Sequence, residues 1–111
     1  MIDMKEKANL VLMEKPIGVM GRPNATMEEQ NEALEYDAIL LKVCKKYKVK
    51  LYIAVDSKDK TRWFDTLYLN IGDMLAKDFI KFYNEFTSEN DYGQPDTMRV
   101  EKDGLIYMWW D

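Results

Sequence analysis

Leu105-Ile106-Tyr107-Met108-Trp109-Trp110 sets large apolar side chains on both alternating faces of one short segment. A strand of this kind needs cover on two surfaces, which limits the folds it can join. The residues before it, Met98-Arg99-Val100-Glu101-Lys102-Asp103-Gly104, alternate as well, and Asp-Gly between two such runs signals a two-residue hairpin turn. That turn would place Tyr107 and Trp109 in the core with Met98 and Val100. Ile106, Met108 and Trp110 would then lie opposite Arg99 and Glu101 as an outward surface. Such a surface must be covered by a partner, by a second copy, by the N-terminal tail or by the loop from Thr87 to Pro95, because monomers rarely expose large apolar patches.

The remaining elements follow from periodicity. Asn9 to Met13 reads as a buried strand, broken by Pro16 and Gly18. Thr26 and Glu29 have capping-box spacing, and the pattern predicts a helix from Thr26 to Tyr47 with Leu34, Leu41, Cys44 and Tyr47 as its apolar stripe. Acids fill the first half of that helix and lysines its second half, as the helix dipole favours. Val49 to Val55 alternates as a strand, and Arg62 to Ile71 supplies another. Gly72-Asp73 then breaks the chain and caps a second helix that carries Leu75, Phe79, Phe82, Tyr83 and Phe86. The resulting β-α-β-β-α-β-β order predicts an α+β fold: a ferredoxin-like two-layer sandwich with a right-handed first crossover and an added C-terminal edge hairpin. Residues 1–8 read as a tail and 9–111 as a single domain.

The length of 111 residues suffices for one core without disulfide or metal support. No apolar run reaches the roughly 20 residues of a membrane helix. With one cysteine, Cys44, and no apolar leader at the N-terminus, the expected location is cytoplasmic. Histidine is absent, which removes every histidine-dependent triad and the commonest general base. The net charge of −4 works against generic phosphate binding. No family's motif is recognisable in the chain, and no residue pattern calls for a cofactor or a metal.

Charge is distributed unevenly. Glu28, Glu29, Glu32, Glu35 and Asp37 occur without an intervening base, and six more acids lie between Thr87 and Asp111. Between them, Lys42 to Arg62 holds eight bases against Asp56 and Asp59. The expected function is a noncatalytic protein-binding module, either a small acidic regulator or inhibitor of the sort a phage or other mobile element carries, or a self-associating subunit that forms a homodimer. Ile106, Met108, Trp110, Asp91 and Tyr92 are the expected partner contacts, with Glu28, Glu29, Glu32 and Glu35 as an acidic surface, since potential steers partner choice. The alternative is a single-strand nucleic-acid binder using Lys46, Lys48, Lys50, Tyr52 and Arg62. A small carboxylate-dependent enzyme is the third reading. The loop from Gly18 to Thr26 precedes a helix N-terminus and could bind an anion, or simply turn and cap the helix.

Overall fold

A computed structural model describes residues 8–20 and 22–111. The tail before residue 8 lies outside the described residues. Strand β1 is Ala8–Leu12, helix α1 Met27–Lys46, β2 Lys50–Asp56, β3 Arg62–Asn70, helix α2 Ala76–Glu89, β4 Thr97–Val100 and β5 Leu105–Trp109, with a short 3-10 turn over Lys102–Gly104. The protein is α+β, with two helices packed on one face of a five-stranded sheet. No helix among the described residues is long and apolar enough to cross a membrane.

The sheet order is β1-β2-β3-β5-β4 and every neighbouring pair is antiparallel, which is not the interleaved ferredoxin-like order. The difference arises in the loop after β1. Met13 extends the pairing with Leu51 (2.8 Å), and the chain then runs back past Asp37, Gln30 and finally Glu29 before α1 begins. Helix α1 therefore returns the chain to the end of the sheet where β1 finished, and β2 must run antiparallel beside it. The second half does contain a crossover, since β3 and β4 run parallel with β5 inserted between them. The edge strand of the terminal hairpin is thus β4, and β5 is interior.

Helix α1 begins as its sequence requires. Thr26 Oγ1 accepts from the Glu29 amide (3.1 Å) and Glu29 Oε1 accepts from the Thr26 amide (3.3 Å), so two amides that the first turn leaves unpaired are satisfied. Its buried stripe is Ala33, Tyr36, Asp37, Leu40, Leu41, Val43 and Cys44, one position away from the expected line at its start. Helix α2 starts later than expected: Leu75 is its N-cap, without a side-chain hydrogen bond, and Leu75 is exposed instead of joining the core. Phe82 and Phe86 supply the core contacts, with Phe79 and Tyr83 packed at their margin.

Two register details place side chains on faces that alternation alone does not predict. Val100 pairs with Ile106 and the Glu101 amide donates to Leu105 O (2.7 Å), so the hairpin connection is the three residues Lys102-Asp103-Gly104. Asp103 and Gly104 both take left-handed backbone angles there, with φ of 59° and 77°. One residue more than a two-residue turn flips every cross-strand partner. Ile106, Met108 and Trp110 consequently face the helices and are buried at 1%, 0% and 6% exposure, while Tyr107 and Trp109 lie on the opposite face with Tyr52 and Tyr68. The surface expected for a partner is core.

The second detail is a bulge in β3. Ile53 pairs with Leu67 and Ala54 with Trp63, so Phe64, Asp65 and Thr66 are extra residues on the β3 side. Three is an odd number, and the shift turns Arg62 from the open face to the helix face. There its guanidinium is fully buried against Asp37, with Nη1 donating to Asp37 Oδ2 at 2.8 Å. The same carboxylate oxygen accepts the amides of Ile17 (3.1 Å) and Gly18 (2.8 Å), and Arg62 Nη1 also donates to Gly18 O (3.2 Å). One buried ion pair therefore ties α1, β3 and the returning loop together. Gly18 is required at this point, because its φ is +79° and a Cβ there would meet the Gln30 amide group at 2.6 Å.

Cys44 is a core residue of α1 and burial pushes its thiol up to about 12. A thiol-specific disulfide reagent at neutral pH is expected to leave it unmodified in the native protein and to label it stoichiometrically as urea unfolds the chain. Fast labelling without denaturant would contradict its placement. The raised value favours the protonated form in the folded state, so this group's contribution to stability is complete below its unfolded value near 9.0 and is lost as pH rises toward 12.

Candidate functional site

Helices α1 and α2 pack antiparallel, as shown by Lys46 bonding Glu85 (2.9 Å) near one end and the rings of Tyr36 and Tyr92 meeting edge-on at 5.6 Å near the other. The acidic first turns of α1 thus project beyond the end of α2, and the loop after α2 lies against them. Asn90 starts that loop: its amide donates to Phe86 O (3.0 Å), and its side-chain oxygen accepts the Tyr92 amide (2.9 Å). Trp110 fixes the loop from beneath, donating Nε1–H to Gly93 O at 3.1 Å.

A concavity of about 470 Å³ results. Glu29, Glu32 and Glu35 from α1 and Asp91 from the loop line it, together with Arg22, and its apolar surface comes from Tyr36, Ile39, Phe64 and Tyr92. The acid at position 28 does not line it. Tyr92 is 62% exposed and Ile39 is partly exposed, so a hydrophobic contact is offered beside four carboxylates and one cation. Arg22 is engaged with Glu29 at 3.2 Å. Hydrogen bonds from the Thr26 amide and hydroxyl hold the Glu29 carboxyl below its ordinary value, and it stays ionised at neutral pH. Burial raises the Tyr36 hydroxyl well above the usual phenol range, so the floor of the cleft is neutral. Among the described residues no three or more acids or cysteines gather as a metal site would require.

No family model, curated protein or solved structure matches the chain.

Of the expected contacts, the structure brings together Asp91, Tyr92, Glu29, Glu32 and Glu35, and separates them from Ile106, Met108 and Trp110, which lie in the core. The basic strip disperses. Arg62 is buried with Asp37, and Lys46 bonds Glu85 on the helix side. Lys50 and Tyr52 sit on the open face of β2, and Lys48 occupies the turn before it with φ of 58°. The loop from Gly18 turns its first amides inward: Ile17 and Gly18 donate to Asp37, and Val19 donates to Gln30 Oε1 at 2.7 Å. At the helix N-terminus Thr26 Oγ1 takes the Glu29 amide and Glu29 Oε1 takes the Thr26 amide, so the protein's own groups fill the place of an external anion. Phe64 was absent from the sequence-based site. Its signal was a bulge, which alternation does not reveal.

Proposed function

We propose that this chain is a noncatalytic protein-binding module, a small regulator or inhibitor, whose docking site is the acidic cleft between α1 and the loop after α2. The observation that carries the reading is the convergence of Glu29, Glu32, Glu35 and Asp91 around Tyr36, Ile39 and Tyr92. The partner is a basic segment of another protein, bearing lysine or arginine beside an apolar anchor. Carboxylates at the rim steer and select such a segment, while an exposed tyrosine that can be covered supplies contact energy. Two of the five residues of the basic strip, Arg62 and Lys46, are already engaged within the protein, which favours the acidic site over the basic strip.

The test is a fluorescence-anisotropy titration with a labelled Arg/Lys-rich peptide containing one leucine. Binding is expected to weaken with salt and to fall by about tenfold or more in Glu32→Lys/Asp91→Lys. Asp59→Lys/Asp73→Lys, a double variant with the same change in net charge placed in the β2–β3 turn and the turn before α2, is expected to leave binding within about twofold. Equal losses in both variants would reduce the interaction to net charge and overturn the assignment.

A further inference from the structure

The face of the sheet turned away from the helices carries a second concavity, of about 570 Å³, lined by Trp63, Phe64, Asp65, Thr66, Tyr107 and Trp109. It is built by the β3 bulge, whose three extra residues all line it. Bulges of this kind re-aim side chains and recur beside functional sites. Trp63 and Trp109 are partly exposed, so part of each residue's surface is open to solvent.

Two of the lining rings, Phe64 and Tyr107, already hold an arginine each. The Arg62 guanidinium lies 4.2 Å from the Phe64 centroid, and that of Arg99 lies 4.5 Å from the Tyr107 centroid. Both arginines are matched by acids, Asp37 at 2.8 Å and Glu101 at 3.7 Å. One acid lines the concavity. Asp65 is exposed, with Oδ1 accepting from Thr66 Oγ1 at 3.0 Å. Asp96 and Asp111 stand at the same end of the sheet, where the Asp96 amide donates to Trp109 O (2.9 Å) and Asp96 Oδ2 accepts the Asp111 amide (2.7 Å).

We infer that this concavity is a binding site for an alkylated ammonium group, such as a quaternary ammonium or a trimethylated lysine side chain. Tryptophan has the strongest ring attraction for a cation, and sets of aromatic rings beside a carboxylate suit a cation that carries its own apolar shell. A primary ammonium fits less well, because its three donors would find one flexible carboxylate and lose much of their hydration. A nucleotide base would stack on the same indoles, but Asp65 would repel its phosphate. The concavity shares Phe64 with the acidic cleft but none of the cleft's carboxylates, and the proposal does not rest on the reading given above.

The test follows tryptophan fluorescence during titration with choline and with 3,3-dimethylbutan-1-ol, its neutral carbon isostere, at constant ionic strength. Choline is expected to cause a saturable change and to bind about tenfold more tightly than the isostere. Trp109→Leu is expected to abolish saturation. Asp65→Asn, which keeps the shape, is expected to weaken choline by about threefold to tenfold without changing the isostere. Thermal melting of each variant checks folding; if Trp109→Leu does not fold, the Asp65→Asn comparison still decides. Equal affinity for choline and the isostere, no saturation by choline, or an oligo-dT that saturates the signal where choline does not, would each overturn the assignment.

Discussion

Asp37→Ala is expected to lower the unfolding free energy by about 3–5 kcal/mol, because it leaves the buried Arg62 guanidinium without its counter-charge. A domain of this size has a total of about 5–15 kcal/mol, so the variant would lie near the limit of folding. After the change, Arg62 Nη1 keeps only Gly18 O at 3.2 Å, and the guanidinium keeps the Phe64 ring. Nε and Nη2 have no hydrogen-bond partner among the described residues even in the native protein. The reverse deletion, Arg62→Met, is expected to be milder, since Asp37 Oδ2 would still accept the amides of Ile17 and Gly18. Asp37→Ala/Arg62→Met should recover much of the loss, as apolar replacement of a whole buried pair often does. Urea denaturation of the three proteins measures this. A double variant no more stable than Asp37→Ala would place the energy in the packing of α1 and not in the ion pair.

This pair also shows where sequence reading stops. The limits of α1 were legible because the Thr26–Glu29 box and the lysines at Lys45 and Lys46 are local signals that act within one turn. Strands β2 and β3 were legible for the same reason. Asp37 had a trace in the sequence: it stands four residues after Ala33 and four before Leu41 on the core stripe, and an acid at such a position needs a partner. Its partner was hidden, because Arg62 reaches the helix face only through a three-residue bulge whose length no periodic pattern records. The strand order was hidden similarly. Whether β1 and β2 run parallel depends on the path of residues 13–26, and that path is set by hydrogen bonds to Asp37 and Gln30. For the acidic cleft both segments were visible as charge runs, while their meeting at Tyr36 and Tyr92 required the antiparallel packing of α1 and α2.

The turn before β5 gives the sharpest experimental contrast. Trp110→Ala is expected to destabilise the protein by about 3–5 kcal/mol and Met108→Ala by about 2–5 kcal/mol, the usual range for emptying a buried site. Trp109→Ala is expected to cost less, about 1–2 kcal/mol, because Trp109 is only partly buried on the open face. Trp110 has a second role that Met108 lacks. Its Nε1–H holds Gly93 O, so removal of the indole frees the loop that carries Asp91 and Tyr92 into the cleft. A third measurement separates the two roles: Trp110→Phe keeps much of the apolar volume and loses the hydrogen bond, so it should retain most of the stability and still weaken binding of the basic peptide. The two-residue turn that Asp103-Gly104 suggests predicts the opposite order, with Trp109 critical for stability and Trp110 dispensable. Denaturation midpoints for the alanine variants therefore decide between two registers that differ by one residue, and Trp110→Phe decides whether the core tryptophan also positions the cleft.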